Sequence, residues 1–450
     1  MTSEIPEPMY DMIIVGSGIA GLYTAVEVLK RHPKIRLAIF EKYRGVGGRA
    51  YTFRTKVDGK HVQWEAGAGR ISEMHERLLG LMKHYGLTWI PIGANILYKE
   101  DADAPFEPNM FESGIPIMLD TIAGLPAEEL ATHTIRQLLT RIHGAATTEK
   151  YLIRFPYRAE VDIMRADMAI RSFRGEMRRN EGYGICKEGL SALVKAMREE
   201  IERRKGHIFT HHELVGYSAT GAKAPIQLEF RVGAPDEGVG RPLQVVSAEH
   251  VVLAIPVAAI RQLNSQGSCP SVKDWTGLKH LRMAPLLRFY GVFPKDENGK
   301  LWYEEYGGRV VTATPVRYMI GGNPAQGTCQ ISYTDSQDAD YWIQKLDEKG
   351  EREVGEEILG QLRRLLKPSI PAPKMMKAHA WREGATYWLP GNYDPAAVSQ
   401  EAITPFPEKM PGLHICGESF SLRQAWIEGA LEHAAALVKV MHRKLSTKSK

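Results

Sequence analysis

The chain has 450 residues, of which 44% are hydrophobic and 25% charged, with a formal net charge of +5. That length exceeds one simple core and points to two domains. So weak a charge argues against a nucleic-acid partner, and no run of roughly 18 apolar residues offers a membrane-spanning helix.

The N-terminus, MTSEIPEPMYD, has no basic region followed by an apolar run, so it is not read as a secretory signal, and the cytoplasm is the expected compartment. Asp11 to Arg31 reads DMIIVGSGIAGLYTAVEVLKR. Met12 to Val15 is a short apolar run, as in a buried parallel strand. Gly16, Gly18 and Gly21 follow as GxGxxG. Leu22, Ala25, Val26 and Leu29 then recur at helical spacing. A second strand, IRLAIFE, ends at Glu41, 20 residues beyond the last glycine. Gly16 permits the turn, Gly18 lets backbone approach a pyrophosphate, and Gly21 allows close helix–strand packing. The helix N-terminus faces the phosphates, and Glu41 would accept from a ribose. The expectation is a dinucleotide site. The next residues, EKYRGVGGRAYTF, add a glycine-rich turn with Arg49, which favours FAD over NAD.

WEAGAGRI, Trp64 to Ile71, is a second glycine-rich loop, and it carries Arg70. SEMHERLLGLMKHYGLTWI, residues 72 to 90, has helical spacing and a stop at Gly86. Residues 116 to 147 hold helices broken near Gly124 to Pro126. The basic groups Arg171 to Arg179 and Arg203 to Lys205 read as solvated helix faces. GLSALVKAMREEIERRKG is an amphipathic helix leading into a strand, HIFTHHELVGYS. EHVVLAIPVAAI reads as another strand with its exit at Pro256. Asp335 or Ser336 is expected to cap a helix after ISYTDSQDADYW. Cys186, Cys269, Cys329 and Cys416 fit neither a metal nor a disulfide spacing and are expected to be reduced and mostly buried. The neighbours His211, His212 and Glu213 lack enough further ligands for a metal site, so no metal is expected.

With these blocks and PGLHICGESFSLRQAWIEGALEHAAALV, Pro411 to Val438, the chain resembles the flavin amine oxidases. This group contains monoamine, polyamine and L-amino-acid oxidases. The resemblance implies an α/β fold in which a Rossmann-type FAD-binding domain is interleaved with a substrate domain of mixed sheet and helices. Residues 1–72, 180–265 and 390–450 would form the first, and 73–179 with 266–389 the second. It places FAD against Gly16, Gly18, Ile19, Ala20 and Gly21, then Glu41 and Lys42, and Gly48 and Arg49. Further contacts would come from Gly67, Ala68, Gly69 and Arg70, from Glu213 beside the adenine, from Gly417 and Glu418, and from Trp426 and Ile427. A helix starting near Trp426 would favour negative charge at the pyrimidine edge of the flavin.

In L-amino-acid oxidases and amino-acid monooxygenases of this group, the loop arginine clamps the substrate carboxylate, and Arg70 falls on it. The other reading pairs Arg70 with FAD phosphate or a structural acid. Trp426 matches an aromatic that flanks the substrate. The opposite cage position falls near Ala385, so the cage is half open. Tyr387 and Trp388 line the site or pack in a core strand. Arg317, beside Tyr318, contacts substrate or holds domains together. Many members carry a lysine near the flavin. The comparable strand, Leu281 to Pro294, puts Pro285 there, with Arg282 and Arg288 nearby.

The leading expectation is oxidation of an L-amino acid to the imino acid, then 2-oxo acid and ammonia, with O2 reduced to H2O2. The alternatives are an amino-acid monooxygenase giving an amide, a monoamine or polyamine oxidase, and a flavin-binding protein of low turnover. The expected partners are a small-molecule amino acid or amine and molecular oxygen, with no nucleic acid and no membrane. A homodimer is compatible with the resemblance.

Overall fold

A computed structural model describes residues 9–93, 95–108, 110–175, 182–237, 240–267 and 269–447. The N-terminal eight residues and the end of the basic group reaching Arg179 lie outside them.

The glycine fingerprint folds as its spacing dictates. Met9–Val15 is a strand, Ile19–Arg31 a helix and Leu37–Phe40 the next parallel strand, with Ile13 opposite Ala38. Gly16 sits at φ +98, and a Cβ on Gly21 would stand 2.1 Å from the Gly16 carbonyl oxygen. Only glycine lets helix and turn approach this closely.

These strands belong to an eight-stranded sheet. Leu243–Leu253 pairs in parallel with Met9–Val15 on one side. On its other side it pairs first with Ile226–Val232 and then with Leu413–Ile415. The sheet thus gathers segments from the start, the middle and the end of the chain. HIFTHHELVGYS is not one strand but two, His207–Phe209 and His212–Ser218, because His211 turns the chain at φ +60.

A second, six-stranded sheet is built from other stretches. Leu281–Val292 runs at its heart, antiparallel to Met375–Trp388 and to Thr328–Asp335. Helices cover it, including Ser336–Leu365, while Met110–Ala123, Ala127–Thr132 and Ile135–His143 pack beside it. The break at Gly124 to Pro126 falls between the first two of these helices. Asp335 occupies the position before the long helix but makes no side-chain cap to it. Its carboxylate turns to another segment and accepts from the backbone N–H groups of Arg158 and Ala159, both at 2.9 Å.

All four cysteines are free, and three of them, Cys186, Cys329 and Cys416, are buried. Among the described residues no helix is long and apolar enough to cross a membrane.

Gly21→Ala is expected to lower folding stability by about 1–3 kcal/mol, through the clash with the Gly16 carbonyl. Urea unfolding checks this, and an unchanged midpoint would contradict the contact.

Candidate functional site

The cradle starts where Gly18 caps the helix Ile19–Arg31. A Cβ on Gly18 or on Gly417 would meet nothing within 4 Å, so both edge open space. Gly18 also bridges to Gly47 of the second glycine turn. Ile19 and Ala20 are buried in the first helical turn. Open space at a helix N-terminus between glycine turns fits a pyrophosphate.

Glu41 is 7% exposed. Its carboxylate accepts from the backbone and hydroxyl of Ser17 at 2.8 and 2.7 Å, and from the Tyr43 N–H at 2.9 Å. Lys42 is paired with Glu213 at 2.9 Å, and Arg241 holds the same carboxylate at 2.6 Å. These cations hold the Glu213 carboxyl below its ordinary range against the effect of burial. The Glu213 side chain is thus committed to an ion-pair cluster beside the Glu41 strand.

Arg49 and Glu418 meet across the chain. Arg49 donates to Glu418 at 3.0 Å and to the Gly384 carbonyl at 2.7 Å. Glu418 also accepts from the N–H groups of Thr386 and Ala425, at 3.0 and 2.9 Å. One buried carboxylate therefore ties the second glycine turn, the strand Met375–Trp388 and the turn before Trp426.

WEAGAGRI lies between these parts. Its backbone is fastened on one side by Ala68 N–H to the Arg49 carbonyl, 2.9 Å. On the other side the Trp381 indole donates to the Ala66 carbonyl at 2.7 Å. Arg288 and Tyr290 both donate to the Glu65 carbonyl, at 3.1 and 3.0 Å. A Cβ on Gly67 would stand 2.0 Å from the Arg49 carbonyl oxygen, and one on Gly69 3.1 Å from Arg288. The glycines are there because backbone passes between two fixed neighbours. Trp64 stacks on Tyr290 with centroids 5.0 Å apart and donates to His379 at 2.9 Å.

Arg288 was not singled out above as the cation of its strand; Pro285 was set at that position. Pro285 falls in the register shift between Ala284 and Leu286, where a missing N–H is tolerated. Arg282 is exposed, and Arg288, buried, is the one that reaches the loop.

Arg70 ends in an aromatic chamber. Its guanidinium lies 5.0 Å from the ring of Tyr157, 5.7 Å from Tyr183, 5.9 Å from Tyr333 and 5.8 Å from Trp426. It donates to the Tyr157 hydroxyl. The structure gives it no carboxylate partner among the described residues. Tyr183 and Trp426 are parallel, 5.9 Å apart. Trp426 directly precedes the helix Ile427–Thr447, and Ala425 before it turns at φ +65.

Two expected site residues, Arg317 and Trp388, are tied into structural contacts. Arg317 is buried and donates to Asp338 at 2.7 Å and to the Ile153 carbonyl at 2.7 Å, so its guanidinium is a structural tie. Trp388 is fully buried and donates to the Ser421 carbonyl at 3.1 Å. It packs with Tyr393 in the core. Tyr387 is buried too, but its hydroxyl is pushed up by burial and by the charges of Glu160 and Asp335, which puts it near both acids. Tyr157, Tyr183, Tyr333, Glu160 and Asp335 carried no sequence signal for a shared site. They come from three stretches, 157–160, the strand of Tyr183 and the strand Thr328–Asp335, whose meeting only the fold reveals.

The family sequence model described as flavin-containing amine oxidoreductase matches residues 19–439. The chain belongs to this family. FAD is its expected cofactor. Over 95% of its length it is 24% identical to the flavin-dependent L-tryptophan oxidase of Lentzea aerocolonigenes, covering 97% of that protein. It is 24% identical over 41% of its length to L-amino-acid oxidase 4 of Hebeloma cylindrosporum, covering 33% of that protein. Its fold matches putrescine oxidase with bound putrescine, TM-score 0.74 at 17% identity, over 97% of this chain and 100% of that one. Cyclohexylamine oxidase from Brevibacterium oxydans matches with TM-score 0.72 and 17% identity, over 97% and 100% of the two chains.

Burial holds His379 down at about 4, with Lys377 and Arg288 adding to the effect. Its folded value thus lies below the unfolded 6.5. The stabilisation is complete above the unfolded value and is lost as pH falls toward the folded one. It amounts to roughly 3 kcal/mol at most. His379→Gln, which keeps an acceptor for the Trp64 indole, is expected to lose less stability than the parent between neutral and acid pH. Parallel urea titrations at the two pH values measure the difference.

Proposed function

We propose that this flavin enzyme oxidises the α-amino group of an L-amino acid to the imino acid, which hydrolyses to a 2-oxo acid and ammonia. O2 is reduced to H2O2. One observation carries this reading: Arg70, beside the glycine loop, presents a guanidinium walled by aromatic rings with no carboxylate partner among the described residues. Aromatic faces attract this half-buried guanidinium without neutralising it, and a planar carboxylate matches its fork.

Arg70 would hold the substrate carboxylate, and Tyr157 keeps the guanidinium in place through its hydroxyl. Trp426 and Tyr183 flank the same space as parallel plates. Such walls exclude water and fix the orientation of Cα. Bound FAD supplies the two-electron acceptor for this oxidation. Gly18, Gly48, Gly417 and the Arg49–Glu418 pair would frame it. Four unpaired cysteines support a reducing compartment such as the cytoplasm.

Arg70→Ala is expected to raise KM for the amino acid by about 100-fold or more, since a charge-assisted pair is lost. The matching decarboxylated amine should change little. Steady-state peroxide release with both substrates tests this. Equal losses on the two would make Arg70 structural and move the enzyme to the amine oxidases.

A further inference from the structure

Beyond Arg70, the aromatic chamber contains a second charged feature that the proposed reaction leaves unused. Asp335 ends the strand Thr328–Asp335, two residues after Tyr333, so both lie on one strand face. Its carboxylate accepts from the N–H groups of Arg158 and Ala159, each at 2.9 Å. This fixes the short turn Ala159–Asp162 directly behind Tyr157. Glu160 lies in that turn, 8% exposed, and its Oε2 has no hydrogen-bond partner among the described residues. The Tyr318 hydroxyl, fully buried, is also without one. The Tyr318 ring lies 6.3 Å from Tyr157 and 6.4 Å from Tyr333, so it closes the same group of rings.

Orphaned buried oxygens of this kind are rare and unfavourable, and a ligand that satisfies them gains accordingly. We infer that Glu160 receives a cationic group on the substrate side chain, so that the substrate is an L-amino acid with a side-chain ammonium or guanidinium. This rests on the Arg70 reading above.

Charge balance supports it. Arg70 and Arg288 both face the Tyr333 ring, but Arg288 is engaged by the Glu65 carbonyl and the Tyr290 hydroxyl, so Arg70 is the cation that faces the two buried acids, Glu160 and Asp335. Asp335 already has two backbone donors, whereas Glu160 has an oxygen to spare. An amino acid with a neutral side chain would satisfy Arg70 alone and leave Glu160 unpaired. A cationic side chain satisfies both ends at once, carboxylate on Arg70 and cation on Glu160. Burial pushes both carboxyls up, and Glu160 adds to the effect at Asp335. The field of Arg70 reaches Glu160 and works against this. The acids therefore lack a nearby cation strong enough to offset their burial, and a bound side chain would supply one.

The test is anaerobic reduction of the purified FAD-loaded enzyme by L-lysine, L-arginine, L-norleucine and cadaverine. L-Norleucine has the length of lysine without its charge, and cadaverine is lysine without its carboxylate. The expected result is an apparent Kd for L-lysine or L-arginine about 10- to 100-fold below that for L-norleucine. Glu160→Gln should close that gap by weakening L-lysine and L-arginine, with the flavin spectrum intact. Shifts in unfolding temperature on adding each compound should follow the same order. If the variant loses its flavin, the comparison in the parent enzyme still decides. Reduction by L-norleucine as effective as by either cationic amino acid overturns the Glu160 assignment and leaves the Arg70 reading standing. Reduction by cadaverine alone overturns both.

Discussion

A guanidinium surrounded by rings is the constraint from which the rest of the site follows. Arg70 is permanently charged, and Tyr157, Tyr183, Tyr333 and Trp426 stand within 6 Å of it. Aromatic faces attract a cation but do not neutralise it. To hold it there, the chain fastens its loop from both sides. The Arg49 carbonyl takes one side, and the Trp381, Tyr290 and Arg288 side chains take the other. The loop has room for backbone alone at Gly67 and Gly69, which is why a glycine pair precedes the arginine.

One apolar core runs through both sheets, and around the site buried carboxylates add ties between segments distant in sequence. Glu418 binds Arg49, Thr386 and Ala425. Glu428 accepts from the N–H groups of Arg77 and Leu78, both at 2.9 Å, and so caps the helix Glu76–His84 from the C-terminal helix. Asp335 does the same for the turn after Arg158. Each acid satisfies backbone donors of a segment far away in sequence. Each therefore sets a position as well as stabilising a helix end.

Local patterns were legible in the sequence, and distant meetings were not. The strand, glycine turn and helix from Met9 to Arg31 follow from spacing that sterics enforce within a few residues. The amphipathic helix Leu190–Arg203 follows from its periodicity. Arg70 stood out because a charge beside a glycine loop is unusual. Glu160 and Tyr157 had no such mark, since their segment is a short turn with no periodic signal. Arg317 misled because an arginine in a turn looks available until its partner, Asp338, is brought beside it by the long helix. Pro285 lies at a bulge, and the cation of its strand that reaches the loop, Arg288, stands three residues further on. Asp335 was read as a local cap, yet its carboxylate finds donors in another segment.

The Arg49–Glu418 pair joins residues 369 positions apart. A ribosome adding about 5–20 residues per second delivers the second glycine turn, with Arg49, tens of seconds before its acidic partner. During that interval the turn has no far wall, and the nascent chain cannot grip a nucleotide from both sides. Cofactor capture is thereby a late event in the life of each molecule, and a chain cut short before Glu418 would be left with half a cradle.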